Sequence, residues 1–140
     1  MKACYLLDTD MCIYLKNRRP PQIAERFRTL KQGTIVISMI TYGELINGAL
    51  KSNQPEAALH NLRLLSERLP VQPLSIEVAQ HYGTLRSRLE KQGLPIGGND
   101  MWIAAHALAL DLILVTNNTQ EFERVEGLKI ENWLLDRLPH

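Results

Sequence analysis

Residues 4–10 read CYLLDTD, and this stretch decides the fold. Four apolar residues run directly into Asp8, a pattern typical of a buried strand in a parallel sheet. A strand that is apolar until it stops at an acid delivers that acid to its carboxyl end, where ligands bind in open α/β sheets. We therefore expect Asp8 to be a functional residue, provided that other parts of the chain bring further polar groups to it.

The composition excludes several classes of protein. The chain has 140 residues, of which 45% are hydrophobic and 22% charged, so we expect a single folded domain over residues 1–140 and not a disordered chain. The net charge of +1 does not indicate a nucleic-acid partner, so any RNA contact needs a local patch. Early acids interrupt the first apolar run, and no segment approaches the ~18 apolar residues of a membrane span. We therefore expect a cytoplasmic protein without a membrane partner.

Strands and helices alternate along the rest of the chain. The sequence predicts further strands at 34–38, 71–74, 112–115 and 128–130. It predicts helices at 11–17, 21–30, 41–50, 57–69, 75–92 and 99–110. This alternation predicts an α/β fold with a central parallel sheet of four to five strands and helices on both faces. The last apolar residues are expected to dock onto it: Trp133, Leu134 and Leu135.

Acidic or amide side chains follow a strand or begin a helix at four places. They are Asp8 with Asp10, Glu44, Asp100, and Asn118 with Glu121 nearby. Each acid also has a local interpretation. Asp8 can cap a helix, Glu44 fits a capping box with Thr41, and Asp100 lies in a first helical turn, where the helix dipole favours an acid.

Together, these positions point to a metal site. Segments that follow parallel strands converge on one edge of the sheet, and carboxylates gathered there without basic partners stay ionised only if a cation neutralises them. Hard oxygen ligands suit Mg²⁺ or Mn²⁺, which promote phosphoryl-type displacements. The residues themselves thus predict a divalent-metal site for phosphodiester hydrolysis.

Four stretches also carry a family resemblance. They are LLDTD at 6–10, ITYGELINGALKS at 40–52, PIGGNDMWIAAHALAL at 95–110, and LVTNNTQEFERV at 114–125, which is followed by ENW at 131–133. In this order and at this spacing, the chain resembles the PIN-domain ribonucleases, and most of all the VapC toxins of bacterial toxin–antitoxin pairs. The resemblance covers nearly the whole chain.

The resemblance implies a PIN-like fold and an endoribonuclease that depends on Mg²⁺ or Mn²⁺ and often cuts tRNA. It also implies neutralisation by a VapB-type antitoxin and a toxin homodimer that becomes a hetero-oligomer with the antitoxin. Position by position, Asp8, Glu44 and Asp100 match the acids that hold the metal. Asn118 matches the position of a fourth acid in many relatives, and Thr116 matches a hydroxyl residue that orients the site.

Two departures from the family pattern leave an alternative open. Asp10 stands where the family usually has Asn, and Asn118 is neutral. Asp10 can bind a second ion, or it can remove a hydrogen bond that Asn would donate, since a carboxylate cannot donate. Glu121 is a candidate for the missing acid, or it is a solvated residue. The alternative is therefore a catalytically impaired PIN domain that binds RNA or the antitoxin without cutting.

Other signals are weaker. The DTD at 8–10 also resembles the haloacid-dehalogenase phosphatases, although their later motifs stand in the opposite order here. His106 is expected to pack in the core and not to act as a base. A basic cluster follows the first helix and either binds RNA phosphates or complements the helix dipole: Lys16, Arg18 and Arg19.

Overall fold

The apolar stretches of the sequence form a sheet, and helices connect its strands. The computed structural model describes residues 2–135. In chain order its elements are β1 (Tyr5–Leu7), α1 (Thr9–Asn17), α2 (Pro21–Thr29), β2 (Ile35–Ser38), α3 (Met39–Leu50), α4 (Pro55–Arg68), β3 (Val71–Gln72), α5 (Ile76–Lys91), α6 (Gly98–Leu110), β4 (Ile113–Val115), α7 (Thr119–Phe122) and β5 (Ile130–Glu131). In this part of the chain, no helix combines the length and the apolar character that crossing a membrane requires.

The sheet has five parallel strands in the order β3-β2-β1-β4-β5. Strand β1 lies at the centre, in register with β2 on one side and β4 on the other. Because the strands run the same way, their carboxyl ends meet at one edge of the sheet. Asp8, Ser38 and Thr116 stand side by side at this carboxyl edge, which positions the site described below.

The two faces of the sheet carry separate hydrophobic cores, because neighbouring residues of a strand point to opposite faces. Leu6 packs into the core under α5 and α6, and Leu7 packs into the core under α1–α4. Both leucines are fully buried, and complete burial of one leucine stabilises the fold by roughly 1.5–3 kcal/mol. The predicted α/β architecture, with a parallel sheet covered on both faces, is confirmed.

Helix α3 begins before the position that the sequence predicts. The expected start is Thr41, whereas the helix begins at Met39. Ser38 is the N-cap, and its Oγ accepts a hydrogen bond from the Ile40 backbone N–H at 3.1 Å. The capping-box interpretation of Thr41 and Glu44 is therefore wrong, since both residues lie inside the helix. The position of Glu44 needs another explanation.

The end of the described chain docks on the α2 side of the sheet. Trp133 is buried and meets Tyr5 edge to face, with ring centroids 5.5 Å apart. The carbonyl of Leu134 accepts a hydrogen bond from Gln22 Nε2 at 3.1 Å. The predicted docking of Leu135 is wrong, because 75% of its surface is exposed. The docked segment thus ends one residue earlier than expected.

Candidate active site

Asp8 is placed by the end of β1 and the start of α1. It is 5% exposed, and its Oδ1 accepts a hydrogen bond from the Met11 backbone N–H at 2.9 Å. Asp8 is therefore the N-cap of α1, as its local interpretation expects. A neutral N–H donor leaves the negative charge in place, so the capping role does not compete with a role in binding a cation.

Glu44 is held by a residue of α1. Thr9 Oγ1 donates a hydrogen bond of 2.6 Å to Glu44 Oε1. The Thr9 hydroxyl also lies 3.3 Å from the Thr41 hydroxyl, one helical turn before Glu44. These contacts, and not a capping box, fix the side chain of Glu44 toward the carboxyl edge.

Asp100 and Glu121 border the same small space. Asp100 lies in the first turn of α6, and Glu121 lies in α7, a helix that the sequence does not predict. A Cβ atom built on Gly97 would lie 3.7 Å from Asp100 Oδ2 and 3.8 Å from Glu121 Oε1. Glu121 is fixed from two sides, because Gly97 N–H donates to Oε1 at 2.7 Å and Asn118 Nδ2 donates to Oε2 at 2.5 Å.

This arrangement redefines the predicted fourth acid position. The Asn118 side chain is a hydrogen-bond donor to Glu121, so it orients an acid and does not replace one. Thr116 is fully buried, and its Oγ1 accepts a hydrogen bond from the Asn118 backbone N–H at 3.0 Å. The TNN segment therefore shapes this side of the site, and Glu121 is the acid that the segment presents.

The charges of the site act on one another. The pKa of Asp8 is raised to about 6: burial raises it most, the charges of Asp10 and Asp100 also raise it, and the Thr116 hydroxyl and the Met11 N–H partly offset the rise. The pKa of Asp100 also rises to about 6, first through burial and then through repulsion. Three acids repel its charge: Glu121, Glu44 and Asp10. The carboxyl edge thus gathers one interacting acidic cluster: Asp8, Asp10, Glu44, Asp100 and Glu121.

Asp10 belongs to this acidic cluster electrostatically. It lies exposed in the first turn of α1, two residues after Asp8. Its charge raises the pKa of both Asp8 and Asp100, so it acts on the two most perturbed groups of the site. The departure from the family's usual Asn therefore adds negative charge where four other acids already meet.

No basic side chain neutralises the acidic cluster in the part of the chain that the structure describes. The ion pairs there are Arg26–Glu131, Arg86–Glu90, Arg88–Glu126 and Lys129–Asp111, and none of them includes a member of the acidic cluster. A group of carboxylates without basic partners favours the binding of an external cation.

The donor atoms fit a hydrated hard cation. Within residues 2–135, no three acidic, histidine or cysteine side chains are close enough to enclose an ion by themselves. Mg²⁺ does not need such a cage, because it usually keeps several waters and takes only one or two carboxylates directly. The Cys12 thiol is buried in the hydrophobic core, and burial raises its pKa. Cys12 therefore does not supply a thiolate ligand. The carboxylates suit Mg²⁺ or Mn²⁺ better than a soft metal.

The predicted basic cluster lies away from these acids. Lys16 is in the last turn of α1, Arg18 is its C-cap, and both are exposed, as is Arg19. The helix starts next to Asp8, and a rise of 1.5 Å per residue separates its two ends by roughly 12 Å. The three cations are therefore too remote to neutralise Asp8.

His106 packs in the core, as predicted. It is fully buried on α6, and its Nδ1 lies 2.9 Å from Ser38 Oγ at the end of β2. Burial lowers the pKa of His106, so the neutral ring is favoured. This hydrogen bond joins α6, which carries Asp100, to the N-cap of α3, which carries Glu44.

Two residues of the site, Thr9 and Gly97, are not predicted from the sequence. Thr9 stands between two acids, and its position in LLDTD is the only sequence signal that it borders the site. Gly97 contributes a backbone N–H, and a Cβ atom built there would lie within van der Waals distance of the Asp100 and Glu121 carboxylates. Both act through hydrogen bonds across long sequence separations, which a pattern of residue types does not encode.

Comparison with known proteins agrees with the fold and the motifs. A model of the PIN domain matches residues 5–128. Ribonuclease VapC1 of Haemophilus influenzae (strain R2866) is 45% identical over 130 residues, which are 92% of this chain and 97% of the relative. The tRNA(fMet)-specific endonuclease VapC of Shigella flexneri is 44% identical over 129 residues, with 92% and 97% coverage.

Solved structures give the same result. The structure of VapBC-1 from nontypeable Haemophilus influenzae superposes with a TM-score of 0.86 at 44% identity, covering 94% of this chain and 98% of that chain. DNA-bound VapBC from Salmonella typhimurium superposes with a TM-score of 0.88 at 40% identity, with the same coverage. The chain therefore belongs to the PIN-domain family and, within it, to the VapC ribonucleases. The expected PIN-like fold is confirmed, and the phosphatase alternative is excluded.

Proposed function

We propose that this protein is the toxin of a VapBC-type pair and hydrolyses phosphodiester bonds of RNA with Mg²⁺ or Mn²⁺, with tRNA as the substrate class. The observation that carries the proposal is the acidic cluster without a basic partner at the carboxyl edge of the sheet. The choice of tRNA rests on the relative from Shigella flexneri, whose name specifies tRNA(fMet).

We assign Asp8, Asp100 and Glu44 as the residues that hold the cation, partly through waters. A bound divalent ion supplies a nucleophilic water at neutral pH and offsets negative charge on the phosphoryl oxygens. Glu44 accepts the hydrogen bond from Thr9 through Oε1, which leaves Oε2 to hold the cation or one of its waters. Asn118 acts in catalysis by orienting Glu121, which we assign as the fourth acid. Thr116 favours the ionised form of Asp8.

We further propose that the chain acts as one domain in the cytoplasm, as a homodimer that a VapB-type antitoxin neutralises. The solved relatives from Haemophilus influenzae and Salmonella typhimurium are VapBC complexes, which supports a partner of this kind. The antitoxin and the toxin together would form a hetero-oligomer.

The basic cluster is a candidate RNA-binding surface outside the acidic cluster. We propose that Lys16, Arg18 and Arg19 bind RNA phosphates outside the cleavage position, since the length of α1 separates them from the acidic cluster. Phosphate contacts of this kind give affinity without sequence information.

One observation favours a second candidate function. Asp10 increases the repulsion at Asp8 and Asp100, and a carboxylate at this position cannot donate the hydrogen bond that Asn would. A chain impaired by Asp10 would bind RNA or the antitoxin without cutting.

Cleavage of a total tRNA pool by the purified, antitoxin-free protein tests the proposal. The assay is run with Mg²⁺, with EDTA, and with the variant Asp100→Asn. Asp111→Asn is the matched control, because Asp111 is 83% exposed and has a left-handed backbone that Asn tolerates. We expect discrete products that require both the metal and Asp100.

The outcomes separate the two candidate functions. Full activity of purified Asp100→Asn would overturn the proposed site. If the wild-type protein does not cut, the assay is repeated with Asp10→Asn. Cleavage by that variant would mean that Asp10 disables a nuclease, whereas continued absence of cleavage with retained RNA binding would favour the binding function.

A further inference from the structure

A short hydrogen bond in the site, to which no function has yet been given, joins α1 to α3. Thr9 Oγ1 and Glu44 Oε1 are 2.6 Å apart, although 35 positions separate the two residues in sequence. A distance of 2.5–2.7 Å is typical of a hydroxyl that donates to an ionised carboxylate. The contact is partly buried, so water competes with it less than at an open surface.

The carboxylate of Glu44 fixes the direction of this bond, because an ionised carboxylate can only accept a hydrogen bond. A hydroxyl has one hydrogen, so when Thr9 donates to Glu44 it can only accept from Thr41, whose Oγ1 lies 3.3 Å away. Thr41 is fully buried and cannot turn to solvent. The three side chains therefore form one connected group of hydrogen-bonding atoms that ends on the carboxylate of Glu44.

This connected group opposes an electrostatic force. Glu44 and Asp100 repel each other, since the charge of Glu44 raises the pKa of Asp100. A glutamate has several rotatable bonds, and without a restraint its carboxylate would turn away from the other acids toward water. Holding like charges together is unfavourable by itself and becomes favourable when a cation neutralises them.

We propose that Thr9 is a positioning residue for Glu44, and that its hydroxyl keeps the acidic cluster assembled before a divalent cation binds. This inference rests on the proposed function and adds a residue to it. Groups that orient metal ligands typically contribute 10–100-fold to metal affinity or activity, as their removal shows.

Thr9→Val is the central variant, because valine keeps the branched shape and removes the hydroxyl. Thr9→Ser restores the hydroxyl, and Thr29→Val removes a hydroxyl whose bond, to the Arg26 carbonyl, is exposed and outside the site. Mn²⁺ affinity of the antitoxin-free protein is measured by electron paramagnetic resonance, which does not depend on activity. We expect Thr9→Val to weaken Mn²⁺ binding about 10-fold and Thr9→Ser to restore most of it.

A double-mutant cycle tests whether Thr9 acts through Glu44. In the Glu44→Gln background, Thr9→Val should cause little further loss of Mn²⁺ affinity. Circular dichroism checks folding, and Thr9→Ala, which introduces no new atoms, serves if Thr9→Val does not fold. Unchanged Mn²⁺ affinity in a folded hydroxyl-free variant, or an equal loss in the Glu44→Gln background, would overturn the role of Thr9. Absence of Mn²⁺ binding and of cleavage in the wild-type protein would instead overturn the proposed function, and Thr9 with it.

Discussion

Two groups of acids in this protein are held in different ways. Away from the site, Glu90, Glu126, Glu131 and Asp111 each contact an arginine or a lysine. At the carboxyl edge, three acids are held by neutral donors: the Met11 N–H for Asp8, the Thr9 hydroxyl for Glu44, and the Gly97 N–H and the Asn118 amide for Glu121.

The difference explains how a site can be rigid and still charged. An arginine or lysine partner would fix a carboxylate and also neutralise it. A neutral donor fixes the geometry and leaves the charge for a cation. Burial first, and repulsion from neighbouring acids second, raise the pKa of Asp8 and of Asp100, so the ionised forms of both are disfavoured in the metal-free protein.

The largest expected effect is on cleavage. Asp8→Asn should lower the rate of RNA cleavage at least about 100-fold, because a bound metal contributes several kcal/mol of charge stabilisation to such reactions. Asn can still cap α1, so circular dichroism should show an intact fold. The measurement is the cleavage rate of tRNA with saturating Mg²⁺.

Glu126→Gln is the matched control from the other group of acids. Glu126 pairs with Arg88 on the surface, with 83% of its side chain exposed. Exposed ion pairs contribute little, so both cleavage and the melting temperature should stay at the wild-type values. Equal losses in Asp8→Asn and Glu126→Gln would remove the distinction between the two groups.

The next effect is on stability. The pKa of Asp8 is about 6 in the folded protein and 3.8 ordinarily, so between these pH values the folded state binds more protons than the unfolded state. The stability contributed by protonated Asp8 is therefore present below pH ~4 and is lost as the pH rises through 6. At about 1.4 kcal/mol per pKa unit, the loss amounts to up to about 3 kcal/mol.

Asp8→Asn removes this loss. In EDTA, its free energy of unfolding should rise relative to wild type between pH 4 and pH 7, as measured by urea denaturation at several pH values. Mg²⁺ should restore stability to the wild-type protein at pH 7 and not to the variant. A difference between the two proteins that stays constant with pH would contradict the raised pKa.

The smallest effect concerns the basic cluster. Replacing Lys16, Arg18 and Arg19 together by Gln should weaken RNA binding and lower the slope of log affinity against log salt by about one for each phosphate that the variant no longer neutralises. The cleavage rate of fully bound RNA should change much less. An unchanged salt slope would mean that these residues only complement the dipole of α1.

The sequence predicts the fold well because the central strands are short, apolar and buried on both faces. The stretches around Leu6, Val36 and Leu114 are continuously apolar, which is the pattern of a strand buried on both faces, and each ends at the carboxyl edge. The acids that follow them could be predicted for the same reason. The two-residue strands β3 and β5 are predicted too long or shifted, since so few residues carry little pattern.

The sequence does not predict how the acids are held. The predicted capping box of Thr41 and Glu44 is wrong because α3 begins earlier, with Ser38 as its N-cap. Thr9 lies close to Glu44 only in the folded chain. The role of Glu121 depends on the backbone N–H of Gly97, which every residue type except proline could donate. Such choices of hydrogen-bond partner are set by tertiary structure and not by local residue pattern.

The most direct test of the central claim is a titration of the side-chain carboxyl groups by ¹³C nuclear magnetic resonance, with and without Mg²⁺. We predict that Asp8 and Asp100 titrate near pH 6 in the metal-free protein, and that Mg²⁺ lowers the pKa of both, because a cation favours the ionised form. Ordinary pKa values near 4 that do not respond to Mg²⁺ would contradict an acidic cluster assembled to receive a cation.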